Sequence, residues 1–136
     1  PDLVIISLGT NESFDKQSGD QYFAHLNQMI QGIKDKNPQA CVLVMTSPPS
    51  VLHRKYKNTF IEKYAELIGE NAHVKNYAVW DLLQVFGGNK AISRNAAKGY
   101  MARDKVHYSK AGYEKQGDLF FEAFLQSYEL FKSTKQ

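Results

Sequence analysis

Short apolar, β-branched runs alternate along this chain with segments of helical spacing, and that alternation narrows its possible folds more than any other feature. Leu3 to Leu8 and Cys41 to Thr46 are too short for core helices and lack the polar alternation of half-exposed strands. Runs of this kind are parallel strands buried on both faces. Val74 to Trp80 reads as a third strand, weakened at its start by Lys75 and Asn76. From about Asp20, Phe23, Leu26, Ile30 and Ile33 recur at helical spacing until Asn37-Pro38. A second helix is expected from about Tyr56 to Ile68, with Phe60, Ile61, Tyr64 and Leu67 inward and Gly69 as its stop.

Asp81 to Phe86 reads as a short helix, and Gly87 to Arg103 as a long polar loop, which in a compact domain is usually functional or mobile. A last helix opens near Ser109 or Lys110, with Tyr113, Leu119, Phe120, Ala123, Phe124, Leu130 and Phe131 read as its core face. The β-α-β-α-β-α order predicts one domain over residues 1–136, a three-layer α/β/α sandwich around a flavodoxin-like parallel sheet. Ligands of such sheets bind beyond the carboxyl ends of the strands, where Asn11 and the Pro48-Pro49 turn fall. A first strand patterned for burial calls for a neighbour on each side. With Pro1-Asp2 leading straight into it, the expectation is a domain truncated at its N-terminus, with further strands upstream.

Composition removes several function classes. The net charge is only +3, and the densest basic cluster, Arg54-Lys55-Tyr56-Lys57, is too small for a nucleic-acid footprint and reads as solvated surface. No apolar run reaches the length of a membrane span. The single cysteine, Cys41, excludes an internal disulfide and is expected to be a buried, inert thiol. No zinc-ligand spacing and no phosphate-cradling glycine motif is present, so neither a metal nor another cofactor is expected. His25 falls in a helix pattern, His53 in the basic turn and His73 before a strand.

Two stretches can carry chemistry. In "DKVHYSKAGY", Asp104 precedes His107 by three residues, just before a helix. A histidine base needs an acceptor on its second nitrogen to fix the tautomer, and a turn lets Asp104 fold back to supply one. The plainer alternative is a capping aspartate beside a packed histidine. In "PDLVIISLGTNE", Asn11 follows the first strand, where a side-chain amide can donate to a developing oxyanion or simply close a turn.

Taken together, the two stretches resemble signature blocks of the SGNH hydrolases, also called GDSL-type esterases. The first resembles the family's Gly-x-Asn block, which implies oxyanion binding at Gly9 and Asn11. The second resembles its Asp-x-x-His block, which implies that Asp104 and His107 complete a triad. Ser47-Pro48-Pro49, "NYAVWDL" and the Gly87-Gly88 turn fit the same frame, and Glu12 with "VWDLLQVFGG" resembles the branch that includes peptidoglycan O-acetylesterases. The resemblance implies a serine esterase acting on acylated carbohydrate or a small ester, exported or lipid-anchored. Tyr100 and Tyr108 flank the implied site as candidate substrate contacts.

The departures are equally specific. The family's nucleophile lies in a Gly-Asp-Ser block upstream of Gly-x-Asn. Here Gly19-Asp20 is followed by Gln21 and Gly117-Asp118 by Leu119, while Ser7, Ser13, Ser47, Ser50, Ser93 and Ser109 lack that context. Lys105 stands where many relatives have glycine. The expectation is therefore an acid, a base and one oxyanion donor in this chain, with the serine on an upstream segment or a second chain. Two alternatives remain. One is a non-catalytic carbohydrate-binding module with a degenerate esterase cleft. The other is an interaction domain in which Asn11, Asp104 and His107 lie far apart.

Overall fold

The computed structural model describes residues 1–134. Three parallel strands, β1 (Leu3–Ser7), β2 (Cys41–Met45) and β5 (Ala78–Trp80), form the main sheet in that order. The register runs Leu3↔Cys41 to Ser7↔Met45 and Leu43↔Ala78 to Met45↔Trp80. A short antiparallel hairpin, β3 (Val51–Leu52) and β4 (Tyr56–Lys57), stands apart from it.

Alternation along the strands gives the sheet two unequal faces. Val4, Ile6, Val42, Val44 and Val79 join one core with Tyr22, Leu26 and Ile30 of α2 (Gly19–Lys36) and Tyr64 and Ile68 of α3 (Thr59–Lys75). Leu43, Met45 and Trp80 join a second core under α6 (Lys110–Ser133), which contributes Leu119, Phe120 and Ala123. Phe86, after the short helix α4 (Leu82–Val85), and Ile92, opening α5 (Ile92–Ala97), complete it. The architecture is the expected three-layer α/β/α sandwich with a parallel sheet.

Several expectations are corrected. Leu3 and Ile5, in a strand read as buried on both faces, are 40% and 45% exposed on the face α6 covers incompletely. Asn11, which could simply close a turn after the first strand, instead lies in a helical turn, α1 (Thr10–Phe14). The second helix passes through Gly69, an exposed position where glycine costs only about 1 kcal/mol. It ends at Asn76, whose left-handed backbone (φ 55°) lets its N–H donate to Ala72 and His73 carbonyls. Val74 is therefore helical, and the third strand begins only at Ala78. The segment 87–103 is not a plain loop, since it holds a 3₁₀ turn (Asn89–Ala91) and α5, with Ile92 and Asn95 buried. Cys41 is exposed at the start of its strand. Along α6 the burial stops near Ala123. Tyr113, Phe124, Leu130 and Phe131 are exposed, not core.

The start of α6 is fixed by close packing. Ser109 caps it, its hydroxyl accepting from the Gly112 N–H at 3.1 Å and donating to the Gly99 carbonyl at 2.6 Å. A β-carbon on Gly112 would collide with the Tyr100 carbonyl and approach the Tyr108 ring at 3.0 Å. Gly112→Ala is expected to destabilise the fold by about 1–3 kcal/mol, despite alanine's better helix propensity. Urea unfolding checks this, and a midpoint equal to or above wild type would contradict the packing argument.

Candidate active site

Asp104 and His107 sit at the tip of a tight loop whose sides are tied together. Met101 bridges antiparallel to Tyr108, the Ala102 N–H donates to the His107 carbonyl at 2.9 Å, and the Ser109 N–H donates to the Tyr100 carbonyl at 2.9 Å. The Lys105 N–H closes the turn onto the Ala102 carbonyl at 3.0 Å, with Lys105 left-handed at φ 55°. Tyr108 anchors the loop. It is buried, packs edge-on against Phe86 at 5.3 Å, and donates from its hydroxyl to the Pro49 carbonyl at 2.7 Å.

At the tip, Asp104 accepts three hydrogen bonds. Oδ1 takes the Val106 and His107 amides at 2.9 and 3.0 Å, and Oδ2 lies 2.7 Å from His107 Nδ1. The contact with His107 first, then the two amides, holds the Asp104 carboxyl down at about 2. An ionised carboxylate cannot donate, so Nδ1 carries the proton and Nε2 is left with a lone pair in the neutral ring. The His107 side chain is 73% exposed, so that nitrogen is accessible from solvent. Chemically, this is an oriented base.

Asn11 reaches the same place from the end of β1. Gly9 turns the chain at φ 122°, and a β-carbon there would lie 2.6 Å from Ser47 Oγ. The Gly9 N–H donates to Glu12 Oε2 at 2.8 Å, so the amide of this expected oxyanion residue is already engaged. Two stacked tyrosines, Tyr22 and Tyr64 at 4.1 Å, support α1 from below. Tyr22 donates to the Leu8 carbonyl at 3.3 Å and Tyr64 to the Gln17 carbonyl at 2.6 Å. Burial, with Glu12 and Asp15 nearby, pushes the Tyr64 hydroxyl up to about 12, which keeps it a donor. Asn58, fully buried, donates to Ser13 Oγ at 2.9 Å and Ser50 Oγ at 3.1 Å, joining α1 to the turn after β2. Among the described residues nothing is bonded to the Asn11 amide, which is exposed.

Asn11, Asp104 and His107 line one open cavity of about 360 Å³, together with Thr10, Phe14, His53, Arg54 and Val106. Gly9 lies in an adjoining hollow of about 100 Å³ that also includes Asn11 and Ser47. The arrangement in which these residues lie far apart is thus excluded. Tyr108 is buried as an anchor and Tyr100 packs against Phe86 at 6.1 Å, and neither lines the cavity. His53 and Arg54 do, although their basic turn reads as plain surface. Their strands are two residues each, too short to give a periodic signal.

Four of the serine hydroxyls are engaged elsewhere, whereas Thr10, also a hydroxyl residue, lies in the cavity wall itself. Ser13 donates to the Thr10 carbonyl, Ser47 to the Leu8 carbonyl, Ser50 accepts from Asn58, and Ser109 caps α6. Among the described residues no hydroxyl is bonded to the His107 ring. No group of three or more His, Cys, Asp or Glu that could hold a metal occurs among them. No helix among them is long and apolar enough to cross a membrane.

Comparison with known proteins identifies the fold and the family. The structure superposes on that of a peptidoglycan O-acetylesterase with a TM-score of 0.81 at 23% identity, over 92% of this chain and 37% of that one. A lipase/acylhydrolase from Enterococcus faecalis gives a TM-score of 0.67 at 24% identity, over 90% of this chain and 60% of that one. The M. smegmatis aryl esterase gives 0.60 at 19% identity, over 92% and 60%. At such identities the likeness is one of fold, and this chain spans about 37–60% of the length of those chains. No curated protein gives a significant match. The model of the GDSL-like lipase/acylhydrolase family matches residues 1–115, most of the sequence, and the chain belongs to that family.

Proposed function

We propose that this protein is a serine ester hydrolase that removes small acyl groups, acetyl foremost, from carbohydrate. The observation that carries the reading is the Asp104–His107 pair at 2.7 Å, facing a cavity whose wall also holds the free Asn11 amide. In this reading the nucleophile is a serine on an upstream segment or a second chain, as the family's Gly-Asp-Ser block implies, since no Gly-Asp-Ser occurs in these 136 residues.

In this reading His107 Nε2 takes the serine proton as the serine oxygen bonds to the ester carbonyl carbon. The carbonyl π-electrons move to oxygen, and the Asn11 amide donates to that oxyanion. Asp104 keeps the ring in the correct tautomer and stabilises the imidazolium that forms. Collapse breaks the bond to the sugar oxygen, which leaves with the proton from His107. Water then repeats the cycle on the acyl-serine, with His107 again as base, and releases acetate. The family supports ester hydrolysis, and the peptidoglycan O-acetylesterase among the structural neighbours suggests acetyl on carbohydrate.

Acetate release from O-acetylated glycan by the complete protein tests the activity. His107→Ala is expected to lower kcat/KM by roughly 10⁴, and Asn11→Ala by about 10²–10³ with the loss in kcat. A complete protein that releases no acetate from glycan or from an activated acetate ester refutes the hydrolase. Fluorophosphonate labelling read by intact mass tests the nucleophile. The label is expected on a longer or copurifying polypeptide, and a label on this chain alone would place the serine inside it.

The acid pair also sets a pH dependence. Asp104 binds its proton less tightly folded, at about 2, than unfolded, at 3.8. Its contribution to stability is therefore complete above about pH 4 and is lost as pH falls towards 2. Unfolding of wild type and Asp104→Asn across that range is expected to show a difference that is constant above pH 5 and shrinks below 4. A difference independent of pH would contradict it.

A further inference from the structure

The cavity has a second functional wall, the tip of the β3–β4 hairpin. His53 and Arg54 both lie in the left-handed region, at φ 49° and 62°, with the Lys55 N–H donating to the Leu52 carbonyl at 3.1 Å. This is the backbone of a tight hairpin turn that normally selects Asn-Gly. Here it carries two long, donor-bearing side chains instead. The hairpin is tied to the Asp104 loop, since the Val51 N–H donates to the Lys105 carbonyl at 3.2 Å.

The charges around the tip are unequal in their engagement. Lys57 pairs with Glu62 at 2.9 Å, and Lys55 lies over the Tyr56 ring at 5.4 Å. Arg54 lines the cavity, and among the described residues no carboxylate pairs with it. The one carboxylate in the cavity wall, Asp104, is already occupied by His107 and two amides. A permanent guanidinium charge thus faces the substrate space with its fork of donors unused, beside the imidazole of His53. A guanidinium fork matches a carboxylate in two parallel hydrogen bonds.

The geometry points to Arg54 and His53 as an anion subsite that takes a sugar carboxylate on the alcohol side of the ester, so that the substrate is an acylated acidic glycan. This rests on the hydrolase reading for its ester but not for its binding. A uronic acid and a lactyl-ether acid share the chemistry, and the test separates them.

The 136-residue chain is titrated by NMR with two matched pairs, N-acetylmuramic acid against N-acetylglucosamine and methyl glucuronoside against methyl glucoside. At least one acid is expected to bind about tenfold more tightly than its neutral partner, the worth of one good charge-assisted contact. The pair that shows the preference identifies the kind of acid. Arg54→Gln is expected to bring that ratio close to one, Arg54→Lys to keep part of it, and Lys57→Gln to leave it intact. Amide spectra away from the hairpin report that each variant is folded. Equal affinity for acid and neutral sugars, binding of neither acid, or a preference that survives Arg54→Gln overturns the subsite. Acetate release from a neutral ester by the complete protein is read separately. Release without acid preference overturns the subsite alone, and acid preference without release overturns the hydrolase reading alone.

Discussion

In-register parallel pairing of three strands is the constraint on which the rest of this structure depends. Because Ser7, Met45 and Trp80 lie side by side, three segments leave the sheet from one row. β1 delivers Asn11, β2 delivers the proline turn and the basic hairpin, and β5 leads by way of α4 and α5 to the Asp104 loop. Polar contacts lock the exits together. Thr46 donates to Asp81 at 2.8 Å and accepts from the Leu83 N–H at 2.9 Å, so the ends of β2 and β5 share one network. A one-residue slip would send every strand side chain to the opposite face and scatter the cavity wall.

Above that row the loops are held by buried polar groups as well as by the apolar packing of Val51, Met101 and Tyr108. Asn58 is the centre, bonded to Ser13 and Ser50 by its amide and to Asn89 through its carbonyl. The stacked tyrosines secure the two ends of the α1 segment, and Tyr108 secures the Asp104 loop to Pro49. Each of these residues is buried, where an unmet hydrogen bond costs about 1–3 kcal/mol, and among the described residues the side-chain oxygens of Asn58 and Asn89 are the two network atoms left without a partner. The exposed acid–base pair thus stands on a loop tied at its base, by Tyr108 to Pro49 and by Lys105 to Val51.

How legible this was in the sequence varied with the range of the interaction. Leu3–Ser7 and Cys41–Met45 are strands as their apolar runs predict, and Asn37-Pro38 ends α2. The Asp104–His107 contact is legible because both partners lie within four residues. The α3 boundary was misread because Val74 looks like a strand residue, whereas a left-handed Asn76 ends the helix. Cys41 was misread because strand alternation puts it at the edge of the half-covered face. The places of His53 and Arg54 were not legible. Contacts between residues distant in sequence, Val51 with Lys105 and Pro49 with Tyr108, bring that hairpin to the cavity, and such contacts leave no local pattern.

The short span between Asp104 and His107 has a consequence for how the site is assembled. Closing a loop of so few residues costs little chain entropy, so the pair can form while the chain is still collapsing. Asn11 can join it only after non-local strand pairing, which is the slow step in folds of this kind. The base is thus oriented early, and the cavity opposite it is the last part to appear.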